Sequence, residues 1–193
     1  MKVLLIGASG QLGRFLDQLL EVERYDYHSL TKLDFDLNNY TEISAKLSVF
    51  KPNVIINAAA FTSVDLAETE QEAANNVNFK AVKELANLSS LLGCFLIHVS
   101  TDYVFDGKSP LPYPENSIPN PQSIYGVSKL AGENAIRGSN CNFIIIRTSW
   151  LFSEYGSNFL KTMVNLFEKK QEVSVVNDQY GRPTYAKDLA NAI

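Results

Sequence analysis

Short apolar runs recur along the chain, separated by stretches of mixed polarity. They cover residues 3–6, 54–56, 95–99, 143–146 and 173–176, and several are rich in Val and Ile. The runs are nearly continuous rather than alternating, which is typical of strands buried on both faces of a parallel sheet. A weaker strand is predicted over 25–30.

The connecting stretches are long enough for helices that cross over from one strand to the next. They predict helices over 12–20, 40–50, 64–92, 125–137 and 157–169, and a further helix begins near the end, in 185–193. This alternation predicts an α/β fold with a doubly wound parallel sheet, like a Rossmann fold.

Composition excludes several functional classes. The 193 residues carry 17 Lys and Arg against 21 Asp and Glu, a formal charge of −4, and nucleic-acid binding needs a basic surface. No apolar run reaches the roughly 18–20 residues of a membrane span. The first apolar run continues directly into glycines, without a signal-peptide cleavage site. Cys94 and Cys141 adjoin apolar runs and are expected to be buried free thiols, so we expect a cytoplasmic protein.

The first predicted strand is followed by three glycines, Gly7, Gly10 and Gly13, spaced G-x-x-G-x-x-G at the start of a helix. Such glycines permit a tight turn, close approach of the backbone to a pyrophosphate, and close packing of helix on strand. The phosphates would lie at the helix N-terminus, among free N–H groups. This context predicts a dinucleotide site.

The residues after the second strand favour NADP over NAD. Asp26 lies inside the predicted strand rather than at its end, where a carboxylate would hold ribose hydroxyls. Ser29, Thr31 and Lys32 follow instead, with no carboxylate before Asp34. Hydroxyls and a lysine suit a 2′-phosphate.

Tyr125 and Lys129 lie four residues apart and would share one helix face. A nearby ammonium lowers the pKa of a phenol, so Tyr125 could give a proton to a carbonyl oxygen, and the same lysine could hold the nicotinamide ribose. Upstream, Ser100 and Thr101 end a buried strand, where parallel sheets bind ligands, and either hydroxyl could orient the substrate oxygen.

Five longer motifs carry a resemblance to a known family: NAAAFTSVD at 57–65, STDYVFDG at 100–107, YGVSKLAGE at 125–133, RTSW at 147–150 and DQYGRPT at 178–184. In this order they resemble the extended short-chain dehydrogenase/reductase family, in particular its sugar-nucleotide branch, the dTDP-4-dehydrorhamnose reductases. The resemblance runs from residue 2 to about residue 190.

The resemblance implies functional residues position by position. It implies a catalytic trio of Thr101, Tyr125 and Lys129. It implies cofactor contacts at the pyrophosphate loop, the adenine site and the strand end beneath the cofactor: Gly7, Gly10, Gln11, Leu12, Asp36, Leu37, Ala58, Ala59 and Ala60. It implies sugar-nucleotide contacts at Asn78, Asp102, Tyr103 and Trp150.

The implied reaction is reduction of the 4-keto group of a dTDP-6-deoxy-hexulose to dTDP-L-rhamnose, with NADPH or NADH, in cell-surface polysaccharide biosynthesis. A homodimer is also implied. Some family members bind Mg²⁺ at the dimer contact, but no motif here supports a metal site. We expect a dinucleotide-binding domain over 1–150. Residues 151–193 are expected to hold the last strand and helix and, because family members continue beyond residue 193, the start of a truncated substrate-binding lobe.

Two other functions stay open. The scaffold also serves as the regulatory β subunit of methionine adenosyltransferase, which binds without catalysing reduction, and fold alone does not fix function. A related sugar-nucleotide epimerase or dehydratase would regenerate its cofactor. Dehydratases place acidic residues beside the strand-end hydroxyl, and here only Asp102 is acidic.

Overall fold

A five-stranded parallel sheet forms the centre of the computed structural model, which describes residues 1–34, 39–169 and 172–193. The strands are β1 (Lys2–Ile6), β2 (Asp26–Leu30), β3 (Val54–Asn57), β4 (Phe95–Thr101) and β5 (Asn142–Thr148). Their order across the sheet is β2-β1-β3-β4-β5, and every pair is parallel. This confirms the predicted fold class.

Helices connect the strands and cover both faces of the sheet. They are α1 (Gln11–Val22), α2 (Tyr40–Phe50), α3 (Val64–Thr69), α4 (Gln71–Asn75), α5 (Ala81–Leu92), α6 (Ile124–Arg137), α7 (Phe159–Phe167) and α8 (Ala186–Ala192). The predicted helix over 64–92 is thus interrupted, with a π-helical turn at Asn76–Lys80 before α5.

Side-chain alternation along β1 divides the core into two layers. Leu4 and Ile6 pack with residues of α2, α5 and α6 on one face of the sheet. Val3 and Leu5 pack with residues of α1 and α8 on the other face. Both faces of the strand are therefore apolar, which accounts for its continuous apolar run.

The last predicted strand is wrong. Residues 173–176 adopt no regular structure, and Val175 and Val176 are exposed. A separate two-stranded parallel pair, β6 (Leu151–Phe152) with β7 (Thr184–Tyr185), brackets this segment in the chain. Without a paired neighbour, an apolar run of four residues does not make a strand.

The chain reverses direction across the sheet between β1 and β3, because β2 lies outside β1 whereas β3 lies on its other side. In open α/β sheets, ligands bind beyond the carboxyl ends of the strands at such a reversal. None of the described helices has the length and apolar character that crossing a membrane requires.

Truncating Leu96 tests the central position of β4. Leu96 is fully buried (0 % exposed), so Leu96→Ala should lower the free energy of unfolding by about 2–5 kcal/mol through lost burial and a residual cavity. Leu91→Ala, at a site 80 % exposed, is the control and should change it by less than about 0.5 kcal/mol. Urea denaturation measures both, and equal losses would contradict the described core.

Candidate active site

A cleft of about 1630 Å³ opens at the carboxyl edge of the sheet. Its walls include residues that follow β1, β3 and β4, the first turn of α1, the N-terminal part of α6, and residues after β5. The cleft therefore lies where the strand order predicts a ligand site.

The glycine turn forms one wall of the cleft. Gly7 has φ +90°, and a Cβ there would lie 2.6 Å from the Ala59 backbone nitrogen, so no other residue fits. A Cβ at Gly13 would collide with the Gly7 carbonyl oxygen. The tight turn and the close packing of helix on strand are thus both observed.

The first turn of α1 presents an anion site to the cleft. Gln11 and Leu12 line the cleft, and N–H groups in the first turn of a helix have no acceptor within the helix. Such N–H groups, together with the helix dipole, favour a phosphate. Gly10 also lines the cleft, and its N–H is bonded to the Gly7 carbonyl (3.0 Å).

The Gln11 side chain has a different role from its backbone. Its Oε1 accepts hydrogen bonds from Ser153 Oγ (3.0 Å) and Asn158 Nδ2 (2.9 Å). These bonds join the glycine turn to the segment after β6. Partners more than 140 residues away leave no local pattern, so sequence reasoning missed Ser153 and Asn158.

Residues at the end of β2 and just after it correct part of the cofactor prediction. The Ser29 hydroxyl donates to Asp17, and the Thr31 hydroxyl donates to Asp34 (2.6 Å), so neither proton is free for a phosphate. Lys32 lines the cleft, as does Thr31. Asp36 and Leu37 lie outside the described residues.

Three small residues follow β3 along the floor of the cleft. Ala58, Ala59 and Ala60 all line it. Their methyl side chains leave room for a flat ligand to approach the backbone. Glycine turn, helix N-terminus and small floor residues together fit a dinucleotide.

Thr101, Tyr125 and Lys129 line the same cleft, although β4 and α6 are separated by a long loop. Ser123 starts α6 by accepting a hydrogen bond from the Gly126 N–H (3.1 Å). The Thr101 hydroxyl donates to the Asp102 carboxylate (3.1 Å) and accepts from the Tyr103 N–H (3.2 Å). The other strand-end hydroxyl, that of Ser100, donates to Glu133 (2.6 Å).

The structure contradicts the expectation that Lys129 lowers the pKa of Tyr125. Burial raises the pKa of Tyr125 to about 12, against the opposing hydrogen bond of Thr101, and the neighbouring Asp102 and Tyr103 raise it further. Lys129 Nζ instead donates to the Val99 carbonyl (2.7 Å). Burial also lowers the pKa of Lys129 to about 8, although the Glu133 carboxylate opposes this.

Asp102, Tyr103 and Trp150 line the same cleft as Tyr125. The rings of Tyr103 and Tyr125 meet edge to face, with centroids 5.4 Å apart. Trp150 is 42 % exposed, has φ +48°, and lies against Gly181, where a Cβ would come within 2.5 Å of the indole. The left-handed backbone at a tryptophan is a strained arrangement of the kind that occurs at binding sites.

Asn78 does not line the cleft, which corrects its prediction as a substrate contact. Its side chain is 1 % exposed. Its Oδ1 accepts from Phe61 N (2.9 Å), and its Nδ2 donates to Phe61 O and Ser128 Oγ (both 3.0 Å). All of these bonds are internal, so Asn78 joins the π-helical turn to α6 and to the segment after β3.

Thr148 is a cleft residue that sequence reasoning missed. Its Oγ1 is buried and has no hydrogen-bond partner in the parts of the chain that the structure describes, and the residue lines the cleft. A buried hydroxyl without a hydrogen-bond partner lowers the stability of the fold, and a polar ligand in the cleft would supply the missing partner.

The described residues contain no group of three or more His, Cys, Asp or Glu side chains that could hold a metal ion. Cys94 and Cys141 are buried free thiols, as predicted.

An ion cluster of Glu133, Arg137 and Arg147 lies between α6 and the end of β5. Glu133 is fully buried and accepts hydrogen bonds from Arg147 Nε (2.9 Å) and Nη2 (2.6 Å) and from Ser100. It also forms an ion pair with Arg137 (2.9 Å). Burial alone would raise the pKa of Glu133, but these hydrogen bonds and the two guanidinium charges lower it. The cluster ties α6 to the ends of β4 and β5.

Comparison with known proteins agrees with this geometry. The family model described as RmlD substrate binding domain matches residues 1–193. The dTDP-4-dehydrorhamnose reductase of Aggregatibacter actinomycetemcomitans is 45% identical over all of this chain and 66% of its own length. The spore coat polysaccharide biosynthesis protein SpsK of Bacillus subtilis is 43% identical over all of this chain and 68% of its own length.

A solved structure gives the same result. The dTDP-4-dehydrorhamnose reductase of Bacillus anthracis, crystallised in complex with NADP, superposes with a TM-score of 0.95 at 41% identity. The match covers 99% of this chain and 68% of that one. The chain thus spans about two thirds of the length of these relatives.

Replacing Glu133 tests the ion cluster. Glu133→Gln leaves the half-buried guanidinium of Arg147 and the exposed one of Arg137 without their counter-charge, and should lower the free energy of unfolding at pH 7 by about 3 kcal/mol. Because the folded pKa of Glu133 lies below its unfolded value, the difference from wild type should shrink as the pH falls below the usual Glu range.

Glu42→Gln is the matched control, since Glu42 forms a solvent-exposed pair with Lys46 (3.7 Å) that should contribute less than about 0.5 kcal/mol. Denaturant titrations at several pH values measure both variants. A Glu133 effect as small as the Glu42 effect would contradict the cluster's role.

Proposed function

The chain belongs to the RmlD substrate binding domain family, and on that premise we propose that it carries the site for reducing the 4-keto group of a dTDP-6-deoxy-hexulose to dTDP-L-rhamnose with NADPH. The observation that carries this proposal is the single cleft lined by the glycine turn, Thr101, Tyr125 and Lys129. The relatives named as dTDP-4-dehydrorhamnose reductases support the substrate class.

The cofactor would be held by groups already described. The N–H groups of Gln11 and Leu12 would bind the pyrophosphate, Lys32 a 2′-phosphate, and Ala58 to Ala60 would lie beneath the dinucleotide. The bound nicotinamide would supply the hydride. NADH remains an alternative donor, since the pyrophosphate site serves both.

Tyr125 would act as the general acid. A pKa of about 12 keeps the phenol protonated at neutral pH, which is the form that can donate. The alkoxide that develops at the reduced carbonyl is a stronger base than a phenolate, so the proton moves to substrate. Lys129, which lines the same cleft, would hold the nicotinamide ribose.

Thr101 would orient the carbonyl oxygen, since it lines the same cleft as the phenol that donates the proton. Asp102, Tyr103 and Trp150, which also line the cleft, would contact the sugar nucleotide. The volume of the cleft, about 1630 Å³, exceeds that of a pocket for one drug-sized molecule and suits two ligands together.

We further propose that the protein acts in the cytoplasm and forms a homodimer. The two buried free thiols support a reducing compartment such as the cytoplasm. Sedimentation equilibrium of the chain tests the dimer.

Removing the phenol oxygen of Tyr125 tests its role as the general acid. Tyr125→Phe should reduce turnover by about 10²-fold or more while leaving NADPH affinity within about threefold, because only the proton donor is lost. Turnover is followed as NADPH consumption with the keto-sugar present, and affinity by fluorescence titration. Tyr25→Phe, at an exposed position away from the cleft, is the control.

Wild-type turnover in Tyr125→Phe would refute this mechanism. A wild-type chain that binds NADPH but consumes none with the keto-sugar would favour the regulatory-subunit alternative. Product formation without net consumption would favour an epimerase or dehydratase.

Replacing Lys32 tests cofactor choice. Lys32→Ala should weaken NADPH binding about tenfold and leave NADH binding nearly unchanged, because only NADPH carries the 2′-phosphate. Lys51→Ala, beyond the end of α2 and outside the cleft lining, is the matched control. Equal losses for both coenzymes would remove Lys32 from the phosphate site.

A further inference from the structure

His98 is a fully buried side chain that the proposed reaction does not use. It lies on β4, three residues before Thr101, and it is 0 % exposed. Its two ring nitrogens face different partners: Nδ1 lies 3.1 Å from Asn57 Nδ2, and Nε2 lies 3.4 Å from Lys129 Nζ.

The orientation of Asn57 is fixed by the backbone. Its Oδ1 accepts a hydrogen bond from the Ala59 N–H (3.2 Å), so the amide nitrogen is the atom that faces His98. An amide nitrogen only donates, and His98 Nδ1 must therefore accept. A neutral imidazole has one proton, which leaves it on Nε2.

The Nε2–H group then points at Lys129 Nζ. An ammonium has three donors and no lone pair, so it cannot accept from Nε2–H, whereas a neutral amine can. The amine still has two protons, one of which serves the Val99 carbonyl at 2.7 Å. The donors and acceptors around Nζ thus match the amine better than the ammonium.

We propose that His98 is a positioning residue for Lys129: held in its Nε2–H form by Asn57, it disfavours the ammonium and sets whether the lysine carries a proton. The proposal deepens the proposed function, and its importance for turnover rests on that function. A series of polar contacts from Ala59 through Asn57 and His98 to Lys129 also connects the floor of the cleft to α6.

Other groups around Lys129 act in known directions. Glu133 on α6 favours the ammonium, but its charge is shared with Arg137 on α6 and Arg147 on β5. Tyr125 on α6 and Asp102 after β4 line the same cleft. On β3, Asn57 does not titrate. The pKa of Lys129, near 8, lies below that of an ordinary lysine, and the pKa of His98 lies well below its usual value because of burial and Lys129. Both directions agree with an ammonium that is disfavoured beside a neutral imidazole.

The test is NMR spectroscopy of the 193-residue chain. Nitrogen-15 spectra of the imidazole distinguish the Nε2–H from the Nδ1–H form, and carbon-13 shifts of the lysine side chains give the titration midpoint of Lys129, assigned through Lys129→Arg. We expect His98 as the Nε2–H form at pH 7 and a Lys129 midpoint well below those of the surface lysines. His98 in the Nδ1–H form, or a Lys129 midpoint among the surface lysines, would overturn the proposal without any variant.

Asn57→Asp reverses the hydrogen-bonding role required of His98 Nδ1, from acceptor to donor. A carboxylate accepts from Nδ1–H, so the lone pair of Nε2 turns toward Lys129 and favours the ammonium. We expect His98 to change to the Nδ1–H form and the Lys129 midpoint to rise by about one pH unit. Asn53→Asp, the same substitution just before β3 at an exposed position, should change neither.

A rise in the Lys129 midpoint with His98 still in its Nε2–H form would mean that the new charge acts directly, and would overturn the proposal. These spectra need neither coenzyme nor substrate. Failure of the proposed reaction would appear only in NADPH consumption, and failure of this inference only in the spectra.

Discussion

Burial of one lysine is the constraint on which the site depends. Lys129 is 1 % exposed, yet its amine reaches the wall of the cleft. A buried amine must have its hydrogen bonds satisfied, and the Val99 carbonyl provides one at a fixed point on β4. This bond joins α6 to β4. Because Tyr125 lies one turn earlier on the same helix, the position of the phenol follows from it.

The glycine turn supplies the second half of the geometry. Gly7 approaches the Ala59 backbone so closely that β1 and the residues after β3 share one edge. The first turn of α1 then faces the same cleft as Thr101 and Tyr125. A dinucleotide laid across this edge would have its pyrophosphate at the N-terminus of α1 and its nicotinamide beside the acid–base residues. The cleft residues that follow β1, β3 and β4 thus come together because the parallel strands end at the same edge of the sheet.

The sequence predicted those parts that local pattern encodes. Continuous apolar runs gave four of the strands, the glycine spacing gave the turn, and the four-residue spacing placed Tyr125 and Lys129 on one face. It could not predict what each charged or polar group would meet across the fold. Lys129 was expected to act on the phenol, but its amine is bound by Val99 and faces His98. Asn78 was expected at the substrate and instead braces the backbone of Phe61. Such partners lie 17 to 31 residues away, and their geometry depends on packing rather than on spacing.

We propose that one cleft holds the coenzyme with its reactive ring beside Tyr125 and Lys129. A crystal structure of this chain grown with NADPH is the most direct test. We expect the pyrophosphate on the N–H groups of Gln11 and Leu12, and the nicotinamide beside the Tyr125 phenol. A nucleotide bound outside the cleft, or one reversed so that adenine lies against Tyr125, would contradict this placement of the coenzyme.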